Sequence, residues 1–180
     1  MDKINQISKL YHGTNKKFDK FDFNKAKPFK DFGKGFYLTT DFNQAQKWAQ
    51  RKGAKESVAY IYCYDIDKVQ ACRLNILELL KYDKKWLDFI CESRIKGKET
   101  DYDIIYDRIA DNQYSEISEL LQEYVFRNIS AEEVIKEIRW NNSKADQYCF
   151  KNEKALSVLE KSNLIIQYRD SLGRWRQEIC

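Results

Sequence analysis

The sequence predicts an α+β fold, a single domain of short strands with helices inserted between them, and three observations predict it. The run Val58-Ala59-Tyr60-Ile61-Tyr62-Cys63-Tyr64-Asp65-Ile66 alternates with period two, so Val58, Tyr60, Tyr62, Tyr64 and Ile66 share one face, as in a strand. Helical patterns with their own caps recur at irregular intervals, which speaks against repeated βαβ units. A content of 43% apolar and 14% aromatic residues over 180 positions suits one sizeable core and sets the chain apart from disordered ones.

Taken in order, Ile7 to Tyr11 reads as a first strand leading into His12-Gly13-Thr14. Residues 15–34 follow as a long connection rich in lysine and phenylalanine, with the only proline at Pro28. A connection of that length is uncommon in a compact domain unless it covers a site. Gly33-Lys34-Gly35 then admits a close backbone approach, and Phe36-Tyr37-Leu38-Thr39 has strand propensity. Asp41 caps a helix over 41–52, with Gln44 three residues on and with Ala45, Trp48 and Ala49 on its inward face. After the strand over 58–66, Leu74 to Leu80 is an apolar stretch, read as a helical turn. A helix over 83–94 follows, with Trp86, Phe89 and Ile90 at core spacing. Ile104-Ile105-Tyr106 is a strand running on to Ile109-Ala110-Asp111. Ile117, Leu120, Leu121 and Tyr124 make a regular helical face. Ser130 and Glu133 form a capping box for another helix. Gln147-Tyr148-Cys149-Phe150 is a late strand, Asn152 caps a short helix, and Leu164 to Tyr168 is the last strand. Arg174, Trp175 and Arg176 read as a solvated tail. The tyrosines at 60, 62 and 64 read as sheet core. There is no repeat, low-complexity tract or linker, so 1–180 is one domain.

Charge narrows function only modestly. The 32 basic and 28 acidic residues nearly balance, and a net charge of +4 permits a mild attraction to phosphates without requiring nucleic acid. Basic residues gather early, at Lys16, Lys17, Lys20, Lys25, Lys27, Lys30 and Lys34. The five cysteines have no zinc or C-x-x-C spacing, so no metal is expected, and reduced, mostly buried thiols in a cytoplasmic protein are. The first residues lack a signal-peptide core and no later stretch is long enough to span a membrane, so no membrane partner is expected. Export that needs no such signal stays open.

His12 is the only histidine, so any histidine chemistry must use it. It sits at a strand end before a glycine and a threonine, where a side chain can face a ligand beside free backbone groups. The pattern Leu10-Tyr11-His12-Gly13-Thr14, followed about twenty residues later by Gly33-Lys34-Gly35-Phe36-Tyr37-Leu38 and a capped helix, resembles the first two signature strands of the ADP-ribosyltransferase superfamily. The likeness is to its His-Tyr-Glu branch, that of the poly(ADP-ribose) polymerases and diphtheria toxin. Leu10 to Trp48, Tyr102 to Asn112 and Ala145 to Leu159 also resemble an uncharacterised bacterial family, the domain-of-unknown-function 3990 family, which has been grouped with that superfamily.

The resemblance implies a split β-sheet core and a mono-ADP-ribosyltransferase that uses NAD as donor. It implies that His12 bonds the adenosine ribose, that the Gly13 backbone holds the carboxamide, and that Tyr37 stacks on the nicotinamide ring. Thr14, Asp31, Gly35, Phe36 and Asp111 are the other expected NAD-binding positions. Where the superfamily has a late-strand glutamate, this sequence offers Gln147, which can accept or donate a hydrogen bond but brings no charge and cannot act as a base. Transfer of single ADP-ribose units or weak activity is therefore expected, with His12, Tyr37 and Gln147 as the catalytic set. Asp146 next door alternates to the opposite face. Small members of the superfamily often act as toxins or effectors, sometimes paired with a neutralising antitoxin protein. The acceptor, protein or nucleic acid, is not legible. NAD hydrolysis, a non-catalytic NAD or ADP-ribose-binding module, and a nucleic-acid-directed enzyme using the basic loop are the alternatives.

Overall fold

A computed structural model describes residues 3–108, 114–138 and 146–180. Its strands are β1 (Lys9–Thr14), β2 (Phe36–Leu38), β3 (Val58–Ile66), β4 (Ile76–Leu79), β5 (Ile104–Arg108), β6 (Asp146–Phe150), β7 (Leu159–Arg169) and β8 (Trp175–Ile179). Its helices are α1 (Phe42–Lys52), α2 (Lys68–Ala71), α3 (Lys84–Arg94), α4 (Tyr114–Val125), α5 (Ala131–Glu137) and α6 (Glu153–Leu156). The fold is α+β, as the sequence predicts.

The strands form two four-stranded sheets, ordered β1-β3-β7-β8 and β2-β6-β5-β4. The sheets face each other across one apolar cluster, with Leu10, Tyr62, Tyr64 and Leu164 from the first against Phe36, Ile104, Tyr148 and Phe150 from the second. Tyr60, Tyr62 and Tyr64 thus lie toward the inter-sheet core, as their alternation predicts. Helix α1 covers the outer face of the first sheet, where Ala45 and Ala49 meet Ile61, Cys63 and Ile165. Helices α3, α4 and α5 cover the outer face of the second through Trp86, Leu87, Ile90, Leu121 and Val134. Each sheet therefore has one face toward the other sheet and one toward helices, so apolar residues appear on both sides of the central strands.

Among the described residues the two sheets touch along their backbones at one residue pair. Tyr11 N–H donates to Thr39 C=O at 2.8 Å, and Thr39 N–H donates back to Tyr11 C=O at 3.0 Å. Gly13, two residues on, is where α1 rests on β1. A Cβ there would stand 2.0 Å from the backbone oxygen of Ala45, so only glycine allows the helix this close. Asp41 caps α1 by accepting from Asn43 and Gln44 N–H, while the Gln44 side chain turns to the Thr39 hydroxyl instead of closing a capping box. The Ser130–Glu133 capping box forms in full.

Three expectations are corrected. Leu74 to Leu80 contains strand β4 and not a helical turn, because it pairs in parallel with β5 and because Asn75 and Asp103 bond each other at the shared start of the two strands. The segment read as a solvated tail holds β8, which pairs with β7 through a hairpin whose Asp170 carboxylate accepts from the Leu172 and Arg174 N–H groups, with Gly173 at positive φ. Trp48 does not share the inward face of α1; its side chain lies 44% exposed under Arg51 and Lys52.

Candidate functional site at the seam between the sheets

Strands β1, β2 and β6 lie side by side although 9–14, 36–38 and 146–150 are far apart in sequence. β2 pairs antiparallel with β6 and meets β1 at the Tyr11–Thr39 bridge. Continuing the bridge register would set Gly13 opposite Tyr37. Instead the strands part, and the His12 ring takes the place of the next ladder bond, with Nδ1 donating to the Tyr37 carbonyl at 2.7 Å. Among the described residues no backbone bond joins Gly13 to β2.

That bond fixes the imidazole tautomer, since a carbonyl can only accept: Nδ1 carries the proton and Nε2 is an acceptor. The ring packs on Phe36 (centroids 4.6 Å apart) and meets the edge of Phe18 at 5.9 Å. Burial pulls the His12 pKa down from 6.5 to about 4; the Tyr37 bond opposes the shift and the Lys52 charge adds to it. The imidazole is neutral at pH 7. Phe18 belongs to the long 15–34 connection, which is anchored here. Its ring stacks on Tyr62 at 4.2 Å, and the Tyr62 hydroxyl accepts from Phe18 N–H and donates to Phe18 C=O.

The Tyr37 side chain points the other way, to the outer face of the second sheet. Its hydroxyl donates to Gly33 C=O at 2.8 Å and accepts from Phe32 N–H at 3.1 Å, and its ring lies parallel to Phe32. Burial raises the Tyr37 pKa well above 10, so the phenol keeps its proton. Gln147 shares this face, because β6 sets Cys149 opposite Tyr37 and Gln147 lies two residues further along. Its Nε2 donates to Asp31 Oδ2 at 3.3 Å. Asp31 Oδ1 accepts from Arg94 Nη1 at 3.2 Å, and Arg94 Nη2 donates to the Ser118 hydroxyl at 2.7 Å. Lys151, its side chain 5% exposed, donates to the Phe32 and Lys34 carbonyls and pairs with Glu99 at 3.2 Å. The glycine turn of residues 31–35 is thus tied down by the phenol, the carboxamide, a guanidinium and an ammonium.

The expected catalytic side chains are consequently only partly together. Tyr37 and Gln147 share a face and both hold the 31–33 turn. His12 lies toward the space between the sheets and reaches Tyr37 through its backbone carbonyl. The remaining expected positions have structural partners. Phe36 is a core residue, 1% exposed, packed on His12 and Phe21. Gly35 must lack a side chain because a Cβ would stand 2.2 Å from Cys149 Sγ in β6. Thr14 is buried, with its hydroxyl accepting from Lys16 N–H at 3.2 Å. Asp31 is the hub just described. Asp111 lies outside the described residues.

A cavity of about 40 Å³ beside Gln147, also lined by Asp31, Arg94 and Asp107, has room for a water or two and not for a ring. A larger one, about 270 Å³, opens at the other end of the seam beside Tyr11, Thr40, Tyr106, Asp146 and Tyr148. Asp146 there accepts from the Thr39 and Thr40 hydroxyls and from Thr40 N–H, so it braces the seam from the face opposite Gln147, as strand alternation predicts. Among the described residues no group of three or more His, Cys, Asp or Glu side chains could hold a metal, and no helix is long and apolar enough to cross a membrane. The described cysteines are free thiols, three of them buried; burial pushes Cys149 up to about 12 and Cys91 up to about 11.

Arg94 is a site residue outside the motif, and the sequence carries a signal for it. It follows Trp86 and Ile90 at four-residue intervals, so the apolar face of α3 ends in a guanidinium that needs a partner once buried.

The chain belongs to the family described as protein of unknown function (DUF3990), whose members it matches over residues 8–161. No curated protein and no solved structure was found to match it.

Proposed function

We propose that this chain is an NAD-dependent mono-ADP-ribosyltransferase with its donor site where β1 and β2 part. The adjacency of β1, β2 and β6 carries this reading, because it brings together the two segments that resemble the superfamily signature and the late strand in which Gln147 stands for its glutamate. Two local features support it. The neutral His12 presents Nε2 as an acceptor suited to a ribose hydroxyl, and the Gly13 backbone beside it has no bond to β2. The reaction breaks the bond between the ribose C1′ and the nicotinamide nitrogen; nicotinamide leaves with the electron pair, and an acceptor nucleophile attacks C1′ and releases its proton to solvent. Tyr37 and Gln147 take part only after the 31–33 turn leaves them. Gln147 can orient a ribose hydroxyl but adds no negative charge against the forming cation, so slow transfer is expected.

Incubation with NAD tests this: nicotinamide is released by the native chain, is lost in His12→Ala and Tyr37→Ala, and is kept or raised in Gln147→Glu. Loss of release in a well-folded Gln147→Glu chain counts against that residue as the ribose contact.

Two observations favour a second reading, a binding module for NAD or ADP-ribose without turnover. The imidazole and the phenol point to different faces, and the position of the glutamate is neutral and already bonded to Asp31. NAD binding by calorimetry with no nicotinamide release establishes the module; release establishes the enzyme.

A further inference from the structure

The positive charge of the chain is unevenly distributed. Residues 15–55 hold eleven of the 32 basic residues and four of the 28 acidic ones, so the rest of the chain is net acidic. Ion pairs are uneven in the same sense. Lys84, Lys98, Lys151, Lys154, Arg174 and Arg176 each meet a carboxylate. Within 15–55, Lys20 and Lys25 meet a carboxylate, while among the described residues Lys27, Lys30, Arg51 and Lys52 meet none within ion-pair distance.

These four gather at the C-terminal end of α1. Partial burial, then the charges of Lys30, Lys27 and Arg51, bring the Lys52 pKa down to about 8. The helix dipole accounts for Arg51 and Lys52 in the last turn. It does not account for Lys27 and Lys30, which come from another segment. In that segment Phe29 adopts φ 57°, unusual for a bulky side chain, and its ring, 54% exposed, lies against Gly97, where a Cβ would stand 2.8 Å from it. Trp48 stands one turn before Arg51 and Lys52, which lie 4.9 and 5.2 Å from the centre of its exposed ring. An exposed indole flanked by cations without carboxylate partners, one of them within the electrostatic reach of two more lysines, matches what an unpaired base and its phosphates require.

We propose that this surface binds single-stranded nucleic acid, with Lys27, Lys30 and Lys52 on phosphates and Trp48 under an unpaired base. A duplex hides its base faces and cannot use the indole. The proposal stands apart from the NAD reading; where both hold, Lys52 places the strand next to His12 and the strand is the acceptor.

The test uses the full chain without NAD and fluorescence anisotropy of a labelled single strand of about 12 nucleotides, as RNA and as DNA, with a duplex of the same sequence, across a salt series. Single strands bind better than duplex, and log affinity falls linearly with log salt at about −0.7 per phosphate contact, so about −2 for three lysines. The triple variant Lys27→Glu, Lys30→Glu, Lys52→Glu loses binding by more than about tenfold. Trp48→Ala loses on the order of tenfold through lost stacking and leaves the salt slope unchanged. Thermal melts confirm that the variants are folded. No salt-dependent strand binding, equal binding of duplex, or preference for anionic vesicles over oligonucleotide overturns the proposal. So does a triple variant that weakens NAD binding in calorimetry and leaves strand binding intact, which would assign the lysines to the dinucleotide. Nicotinamide release in a separate assay reports on the NAD site alone, so failure of one reading is distinguishable from failure of the other.

Discussion

The turn over residues 31–35 and the loop over residues 27–30 are neighbours in sequence and opposites in electrostatics. In the first, Asp31 is shared between Arg94 and Gln147, Lys151 meets two carbonyls and Glu99, and the Tyr37 hydroxyl both donates and accepts. In the second, Lys27 and Lys30 face Lys52 with no carboxylate between them among the described residues. Charge that is buried and partnered fixes conformation, because removing either member strands the other in a poor solvent. Charge that is exposed and crowded by its own sign contributes little to stability and is open to an incoming anion. The teaching is that the same lysine-rich stretch divides, within a few residues, into a structural half and a receptive half.

Substitutions can break or sharpen that division. The largest effect is expected at Arg94→Met, which removes the cation from Asp31 and one hydrogen bond from Ser118. Breaking such a part-buried, charged contact costs about 1–3 kcal/mol, solvent at Asp31 screening part of it, read as a lower denaturant midpoint with an unchanged m-value. Tyr37→Phe removes one hydroxyl serving two backbone groups and is expected to cost about 1–2 kcal/mol, with faster hydrogen exchange at Phe32. The single histidine permits a third measurement without assignment. Its NMR titration is expected to centre near pH 4 instead of 6.5. Because the folded pKa lies below the unfolded one, the stability tied to neutral His12 is complete above about pH 6.5 and is lost as pH falls through about 4. The smallest effect is expected at Lys27→Ala and Lys30→Ala, within about 0.5 kcal/mol and tending to stabilise, since each relieves like-charge crowding. A loss above about 1 kcal/mol there would erase the contrast between the two regions.

Local chemistry made much of this legible in the sequence. The alternation of 58–66, the Asp41 and Asn152 caps and the Ser130 capping box each depend on residues a few positions apart, and each element forms where its signal stands. Strand β4 and the hairpin to β8 are not legible in this way, because their stability comes from pairing with β5 and β7, which no short local pattern encodes. The site divides in the same way. The motif brings His12, Tyr37 and Gln147 onto adjoining strands, and strand alternation places Asp146 and Gln147 on opposite faces. Which way His12 and Tyr37 point depends on where the two sheets part, and no short pattern of residues encodes that. Arg94 acquires its meaning only when Asp31, 63 residues away, is folded against it.

The Tyr11–Thr39 contact has a mechanical consequence. Each sheet completes its own ladder without the other, so a turn of one sheet about this contact would leave every strand pairing within either sheet intact. The next bond between the two strands is the one from His12 to the Tyr37 carbonyl. A guest entering between the strands would have to outbid the imidazole and displace the Phe18 and Phe36 rings packed on it.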